Sequence, residues 1–274
     1  MQAGFGLGRL HHVLSRGKRD RIVLDALDAG FRHFDVAPAY GDGLTERELG
    51  RILGNRRNGV TITTKFGIPF RPIGELPVPI YLGLRGIGQL TRVSFGARYR
   101  QRDFSARVVV SSLENSLRRL RTDYVDHFLV HEPLDICEFR AVADSWVELE
   151  RQQKLGKLRR FGVASMMRLL LDAETEGLVP QAVDRMVPMS DLLCGMPESW
   201  FTGRDVFVFN VVKHLRKAHG PGRIETRALV DGFARALPRG RPIFATHDAG
   251  ETKRLGECLA RLASGSPQPI GEMQ

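Results

Sequence analysis

The chain alternates short runs of apolar residues with longer segments in which apolar residues recur at helical spacing. Short apolar runs bounded by turn-forming residues are typical of buried strands, whereas a period of about 3.6 residues is typical of helices that cover a sheet. Gly30 lies between the first helix and the second strand, where a positive φ is favoured. The pattern predicts helices most clearly at 19–29, 107–120, 138–154 and 225–237. It predicts eight strands, at 4–10, 31–36, 60–66, 124–131, 159–164, 184–188, 204–210 and 241–246.

An order in which strands and helices alternate favours an α/β fold with parallel strands. Eight such strands close naturally into a (β/α)8 barrel, the TIM barrel, and we expect one domain over residues 1–274. An open, doubly wound sheet is the alternative, because periodicity alone does not count strands reliably. One long connection, at 67–104, is rich in glycine, proline, apolar residues and arginine. Connections of that length are usually functional or mobile.

The composition argues against a membrane-spanning or secreted protein. The sequence has no apolar run of about 18 residues, the length that suggests a transmembrane helix. Its start lacks the basic and apolar regions of a signal peptide. The three cysteines are few and widely spaced, which suits a reducing compartment. We therefore expect a cytoplasmic protein with no membrane association.

The charge of the chain is strongly positive, with 41 Lys and Arg residues against 31 Asp and Glu residues. Of the 41 cations, 34 are arginines, and they are scattered along the whole sequence. Because nucleic-acid binding requires a concentrated basic patch, this distribution does not predict a nucleic-acid partner. A smaller anion such as a phosphate group needs only a few of these arginines.

Four polar residues lie at the ends of three consecutive predicted strands: Asp35, Tyr40, Lys65 and His131. Because active sites of such barrels gather at the carboxyl ends of the strands, we expect these side chains to meet. A lysine beside a tyrosine favours the phenolate and lowers the tyrosine pKa from its usual value of about 10, while an aspartate holds the lysine. Such a group suits proton transfer to an alkoxide, with the histidine orienting a carbonyl oxygen or relaying the proton.

The segments around these four residues carry a family resemblance. Residues 28–41 resemble the aldo-keto reductase signature around that family's catalytic Asp and Tyr. Residues 63–67 are similar to the segment that holds the family's lysine, and residues 112–131 to the helix and strand that lead to its histidine. Residues 156–163 resemble the entry into the family's fifth strand. The resemblance implies a catalytic tetrad of Asp35, Tyr40, Lys65 and His131, with Tyr40 as the general acid/base.

The same resemblance implies a nicotinamide cofactor, at positions that depart in part from the family pattern. The family commonly has Ser-Asn after its fifth strand and Gln on its sixth, where this chain has Ala164–Ser165 and Met186. A Met thioether does not replace a Gln amide. Cations near the eighth strand favour NADP(H), with NAD(H) as the alternative. The implied cofactor-binding residues are Gly8, Arg9, Asp35, Ser165, Met186, Phe209, Asn210, Thr246, Lys253 and Arg254.

The leading hypothesis is an NADP(H)-dependent oxidoreductase that interconverts a small-molecule carbonyl and its alcohol. The alternative is a barrel that binds the cofactor weakly or not at all and carries out acid–base chemistry such as elimination or isomerisation, or that serves as a partner-binding subunit. The 67–104 connection follows Lys65, so we expect it over the site, as a substrate lid, a docking surface for a partner protein or a disordered loop. The histidines and cysteines lack the spacing of a metal site, and we expect no metal.

Overall fold

Eight parallel strands close into a barrel in the computed structural model of the chain, which describes residues 3–90, 102–194, 196–213, 226–237 and 239–264. Each strand pairs with its neighbours in chain order, and the eighth pairs with the first. The predicted (β/α)8 barrel is therefore confirmed, and the open sheet is excluded. The strands are β1 Gly4–Gly6, β2 His33–Asp35, β3 Thr61–Phe66, β4 Val125–His131, β5 Leu158–Ala164, β6 Asp184–Pro188, β7 Val206–Phe209 and β8 Arg241–Phe244.

The described helices surround the barrel, and their bounds agree closely with the apolar periodicity. Gly30 has the predicted positive φ, +90°, between the first helix and β2. Ser15 and Asp248 cap two helices by accepting hydrogen bonds from backbone N–H groups of the first turn. The helices are α1 Arg16–Asp28, α2 Leu44–Leu53, α3 Val78–Leu90, α4 Ala106–Leu120, α5 Ile136–Ala141, α6 Ala143–Lys154, α7 Met167–Thr175, α8 Thr226–Ala236 and α9 Ala249–Ala263.

The structure corrects three details of the sequence-based elements. The predicted strand 4–10 ends at Gly6, and Leu10–His12 form a 3-10 turn instead. The predicted helix 138–154 is divided at Val142 into α5 and α6. The 67–104 connection is not a loop throughout, since it contains α3, while residues 91–101 lie outside the described residues.

The core has two parts. The larger part lies between the strands and the helices and includes Phe5, Phe34 and Phe128, which are fully buried. A smaller cluster lies among five of the strands and consists of Leu129, Ala164, Met186, Phe207 and Ile243. In the part of the chain that the structure describes, no helix is long and apolar enough to cross a membrane.

A charged network lies at the amino-terminal ends of the strands. His127 Nδ1 lies 2.8 Å from Asp184 Oδ2, and the three groups of His127, Asp184 and Asp205 are close enough to hold a metal ion. Arg160 donates to Asp184 at 2.7 Å, and Arg241 Nη2 lies 2.7 Å from Asp205 Oδ1. Because the two guanidinium groups already neutralise the two carboxylates, we interpret this group as an ion-pair network rather than a metal centre.

Candidate active site

The four polar residues singled out in the sequence come together at the carboxyl ends of the strands. Asp35 is the last residue of β2, Lys65 lies one residue before the end of β3, and His131 is the last residue of β4. Tyr40 lies in the loop that joins β2 to α2. Strand alternation points Asp35, Lys65 and His131 toward the barrel interior, where all three are buried.

Lys65 is the centre of this group. Its ammonium donates hydrogen bonds to Asp35 Oδ1 at 2.5 Å and to the carbonyl oxygen of Val36 at 3.0 Å. The same Nζ lies 3.5 Å from the hydroxyl oxygen of Tyr40. The rings of Tyr40 and His131 meet edge to face, with centroids 5.9 Å apart. A carboxylate, an ammonium, a phenol and an imidazole are thus in one contiguous arrangement.

Burial and charge act against each other at the Asp35–Lys65 pair. Burial raises the pKa of Asp35, and the charge and hydrogen bond of Lys65 oppose this. Burial lowers the pKa of Lys65, but the neighbouring Asp35 and Tyr40 more than offset it, so that this pKa lies above its usual value. Lys65 is therefore cationic at neutral pH.

The phenol of Tyr40 behaves differently from the expectation based on the sequence. Burial raises the pKa of Tyr40 to about 12, and the opposing charge of Lys65 does not compensate. The carboxylates of Asp35 and Glu132 raise this pKa further. The expected net lowering of the tyrosine pKa by the lysine is thus wrong for this structure. At neutral pH the phenol keeps its proton and is able to donate it.

His131 is neutral in this environment. Burial lowers the pKa of His131 well below its usual value of 6.5, and the positive charges of Lys65 and Arg102 lower it further. A neutral imidazole has one N–H donor and one acceptor nitrogen. His131 is therefore able to donate a hydrogen bond to a bound oxygen without adding charge to the site.

A buried ion pair behind the site connects the elements that carry Tyr40 and Lys65. Glu46 of α2 accepts a hydrogen bond from the hydroxyl of Thr64, the residue before Lys65, at 2.6 Å. Its other oxygen accepts from Arg119 Nε of α4, also at 2.6 Å. This contribution of Glu46 is not recognisable from the sequence, because Glu46 looks like an ordinary acidic residue of the first turn of α2.

A cavity of about 460 Å³ opens beside Asp35 and Tyr40. Six of its lining residues were predicted: Gly8, Arg9, Asp35, Tyr40, Phe209 and Asn210. The other six were not singled out from the sequence: Gly6, Val211, Val212, Lys213, Ile243 and Ala245. The strand ends β1, β2, β7 and β8 together form this wall, so that the cavity lies over one side of the barrel mouth.

The remaining positions assigned to the cofactor are not among the described residues that line this cavity. The Ser165 hydroxyl donates to the carbonyl oxygen of Pro133 at 3.3 Å, and Met186 belongs to the buried cluster inside the barrel. Thr246 donates to Glu251 at 2.6 Å. The side chains of Lys253 and Arg254 are 80% and 54% exposed on α9. Their roles toward a cofactor stay predictions.

Left-handed backbone conformations are concentrated at the rim of this site. Four described non-glycine residues have positive φ, and three of them follow the carboxyl ends of strands: Asp42 at 55°, Glu132 at 53° and Asn210 at 60°. Such conformations cost free energy and persist where the surrounding structure holds them, often at functional sites. They turn the chain sharply after β4 and β7, beside His131 and the cavity.

Comparison with known proteins shows the family of the chain. The model of the Aldo/keto reductase family matches residues 3–187. The chain belongs to the aldo/keto reductase family. The matched region contains Asp35, Tyr40, Lys65 and His131 and the strands β1 to β6 apart from Pro188, the last residue of β6, while β7, β8 and their loops lie beyond it.

Individual relatives are similar over part of their length. The D-threo-aldose 1-dehydrogenase of Pseudomonas sp is 31% identical over 175 residues, which are 60% of this chain and 50% of that protein. The NADPH-dependent codeinone reductase 1-3 of Papaver somniferum is 25% identical over 210 residues, 69% of this chain and 54% of that protein. The chain thus spans about half the length of the curated relatives it matches.

Solved structures share the fold of the chain. The aldo-keto reductase AKR11C1 of Bacillus halodurans, in its holo form, superposes with a TM-score of 0.69 at 19% identity, over 98% of this chain and 88% of that one. The glycerol dehydrogenase AKR11B4 of Gluconobacter oxydans gives a TM-score of 0.64 at 18% identity, over 100% of this chain and 94% of that one. At these identities the likeness supports the fold alone.

Proposed function

We propose that this aldo-keto reductase is an NADP(H)-dependent oxidoreductase that interconverts a carbonyl and an alcohol by hydride transfer, with Tyr40 as the general acid/base. The observation that carries the proposal is the buried Asp35–Lys65–Tyr40 arrangement, in which the phenol faces a cavity and has His131 beside it. Family membership and the names of the relatives support the reaction class.

The wall of the cavity fits a flat nicotinamide ring. Gly6 and Gly8 contribute no side chains there, so space is open in front of Tyr40. The aromatic ring of Phe209 offers a flat surface for stacking, and the amide of Asn210 offers a donor and an acceptor. These residues and Arg9 would hold the cofactor's nicotinamide half, and Thr246, Lys253 and Arg254 its 2′-phosphate. The bound cofactor supplies or accepts a hydride at the substrate carbon.

The protein groups then handle the proton and the developing charge. In reduction, the substrate carbon gains the hydride while its oxygen becomes negative. The hydroxyl of Tyr40 donates its proton to that oxygen, and the ammonium of Lys65 at 3.5 Å stabilises the phenolate that remains. Neutral His131 donates a hydrogen bond that orients the carbonyl oxygen. In oxidation, the phenolate takes the proton back from the alcohol.

The test removes one oxygen atom. Tyr40→Phe deletes the proton donor and keeps the ring, so we expect NADPH-dependent reduction of aldehydes to fall by a factor of about 100 or more, the size of a general-acid contribution. Tyr124→Phe is the matched control, because this tyrosine lies between Arg57 and Arg159, outside the cavity. Equal activity of Tyr40→Phe and the wild type, measured at 340 nm, would contradict the role of the phenol.

One observation favours the alternative function. Met186 is buried in an apolar cluster at a position where the family commonly has a Gln amide. The hydroxyl of Ser165 donates its hydrogen bond to the carbonyl oxygen of Pro133. If the cofactor binds weakly for this reason, Tyr40 and Lys65 would carry out acid–base chemistry without hydride transfer. The other alternative is a partner-binding role. Binding of NAD(H) in place of NADP(H) would keep the reaction and change only the cofactor. A titration with both nucleotides separates these cases.

A further inference from the structure

Many of the cations that are scattered along the sequence gather at one end of the barrel. Because strands and helices alternate, the connections from each helix to the next strand lie at the amino-terminal ends of the strands. We call these connections, with the first strand residues that continue them, the amino-terminal rim. In the described structure the rim carries ten Lys and Arg residues and four Asp residues. It consists of residues 30–32, 54–60, 121–126, 155–160, 177–184, 202–205 and 239–241.

Six of the ten cations of the rim form ion pairs with carboxylates, and four do not. The paired cations are Arg57, Lys157, Arg159, Arg160, Arg204 and Arg241. The other four are exposed, and none of them forms an ion pair with a described carboxylate: Arg32, Arg56, Arg121 and Arg239. The rim therefore has an excess of positive charge that its own acidic residues do not neutralise.

The four unpaired arginines follow the order of the strands around the barrel. They precede β2, β3, β4 and β8, and β1 lies between β8 and β2, so that the run contains five adjacent strands. Neighbouring strands lie about 4.8 Å apart, so the run from β8 to β4 spans roughly 19 Å. A row of cations of that length suits several phosphates of one nucleic-acid strand better than one small anion.

One of these arginines also has a structural role. Arg32 donates from Nη1 to the carbonyl oxygens of Leu27 and Phe31, at 2.7 and 2.9 Å, and so stabilises the carboxyl end of α1. Carbonyl oxygens carry no formal charge, so the positive charge of Arg32 stays available to an anion. A binding measurement separates this additional role from the structural one.

The exposed groups of the rim suit a nucleic acid better than a membrane surface. A guanidinium binds phosphate through paired hydrogen bonds, and the exposed amides of Asn55 and Asn58, beside Arg56, are also groups that contact phosphates. Peripheral membrane binding needs buried apolar area in addition to charge. Leu155 is the only strongly exposed large apolar side chain of the described rim.

We propose that the amino-terminal rim binds the phosphate backbone of a nucleic acid through its four unpaired arginines. This function is separate from the reaction at Tyr40, because the rim lies at the opposite end of the barrel from the tetrad. The sequence did not predict a nucleic-acid partner, because its arginines are scattered along the chain. Closure of the barrel brings the four arginines into one row.

The contacts available on the rim favour binding without sequence specificity. Phosphate contacts position a nucleic acid and carry no sequence information. The ring of Tyr124 is already covered by the guanidinium groups of Arg57 and Arg159, each 4.3 Å from its centroid, so it does not serve as a platform for a base. We therefore expect affinities that depend on salt and not on base sequence.

The experiment measures the fluorescence anisotropy of a labelled single-stranded RNA of about 20 nucleotides as the protein is added. If four phosphates are neutralised, the binding constant of the wild type should fall about 50-fold between about 50 and 200 mM salt. A rim variant should bind at least about tenfold more weakly in about 50 mM salt and lose most of this salt dependence. This variant combines Arg32→Gln, Arg56→Gln, Arg121→Gln and Arg239→Gln.

The matched control removes the same charge from exposed helix positions outside the rim. It combines Arg16→Gln, Arg21→Gln, Arg107→Gln and Arg168→Gln. Because solvent screens remote charges, the control should bind the RNA within about threefold of the wild type. Circular dichroism establishes that both variants are folded. If the fourfold rim variant does not fold, Arg56→Gln alone replaces it and should reduce the slope of log K against log salt by about one unit.

Three results would overturn the proposal. The first is no binding of the RNA by the wild type, or equal weakening in the rim variant and the control. The second is binding to phosphatidylserine vesicles with no binding to RNA, which would assign the charge to a membrane. The third is displacement of the RNA by NADPH, which would place the RNA in the cavity beside Tyr40. None of these results changes the proposed function, since that is tested by turnover at Tyr40.

Discussion

At the scale of single residues, the site depends on a competition between burial and charge at one phenol. The sequence places Tyr40 near Lys65, and from that pairing alone a lowered tyrosine pKa is the natural expectation. Burial outweighs the lysine, and the pKa of Tyr40 rises to about 12. The phenol therefore keeps its proton at neutral pH, as the proposed role of Tyr40 in reduction requires.

This pKa predicts different pH profiles for the two directions of the reaction. Oxidation of an alcohol needs the phenolate, whose fraction rises about tenfold per pH unit below the pKa, whereas reduction needs the phenol, which stays nearly fully populated. We expect kcat/KM for oxidation to rise between about pH 6 and 9 and that for reduction to change little. Steady-state rates in both directions measure this. An oxidation rate that levels off near neutral pH would show that the phenol is far more acidic.

Site residues that end a strand are recognisable in the sequence, whereas residues whose partners are remote along the chain are not. Asp35, Lys65 and His131 were identifiable because a charged or titratable residue that ends an apolar strand is unusual. Glu46 was not, since its partner Arg119 lies 73 residues away along the chain. Lys213 was missed for a similar reason, because only closure of the barrel brings β7 and its loop beside β1.

At the scale of elements, close approach of helix backbones shapes the packing around the site. Gly50 of α2 faces the carboxyl end of α4: a Cβ atom there would lie 2.5 Å from the carbonyl carbon and oxygen of Leu120. This contact lets α2 approach α4 closely, where Glu46 and Arg119 form their buried ion pair. Gly232 of α8 is the opposite case, since an added Cβ would have no atom within 4 Å.

These two helical glycines form a matched pair for a stability test. Gly232→Ala should stabilise the protein by about 0.5–1 kcal/mol, because alanine has the better helix propensity and meets no neighbour. Gly50→Ala has the same propensity gain but forces the backbones of α2 and α4 apart, so we expect net destabilisation of about 1–3 kcal/mol. Urea unfolding of both variants measures the difference. Similar stabilisation by both substitutions would contradict the close packing of these helices.

The existence and order of the eight strands followed from periodicity, but some ends of strands and helices did not. Val142 has a ψ of −18°, and its N–H bonds to the carbonyls of both Glu138 and Phe139, which tightens the turn between α5 and α6. Apolar spacing reports which face of a helix is buried and is insensitive to such a local change. The helix α3 was missed because its sequence contains glycine and proline and is apolar with little polar contrast.

At the scale of the whole molecule, the two ends of the barrel carry different groups of polar residues. The carboxyl ends of the strands carry the tetrad and the cavity, while the amino-terminal ends carry the His127, Asp184 and Asp205 network with its arginines. His33 lies at this second end, with its ring stacked on Phe207 and its nitrogens bonded to Thr61 and Thr63. We interpret the charged groups of this network as serving stability rather than chemistry.

A buried neutral histidine at each end of the barrel predicts that the folded protein loses stability in acid. Burial lowers the pKa values of His33 and His131 well below 6.5 in the folded protein. Below pH 6.5 the unfolded chain binds protons that the folded chain does not, so the free energy of unfolding falls as the pH decreases. We expect a lower melting temperature at about pH 5 than at pH 7, and a smaller difference in His33→Gln. If the difference in melting temperature between pH 5 and pH 7 is the same in His33→Gln as in the wild type, His33 does not contribute to the acid sensitivity.

The fold of the whole molecule was predictable because eight apolar runs alternate with helical segments, an order that a closed barrel of eight parallel strands satisfies. The residues that would bind the cofactor were less predictable. The positions after β5 and on β6 depart from the family pattern, and the loops after β7 and β8 lie outside the matched region. Side chains such as Lys253 and Arg254, exposed on α9, gain a role only when a ligand is present.

The most direct test of the central claim is a calorimetric titration of the purified protein with NADPH and with NADH. The account predicts saturable binding of NADPH, and weaker binding of NADH, because the cations near β8 have no 2′-phosphate to contact in NADH. Binding of neither nucleotide, by a protein shown to be folded, would contradict hydride transfer and leave acid–base chemistry or a partner-binding role for this barrel.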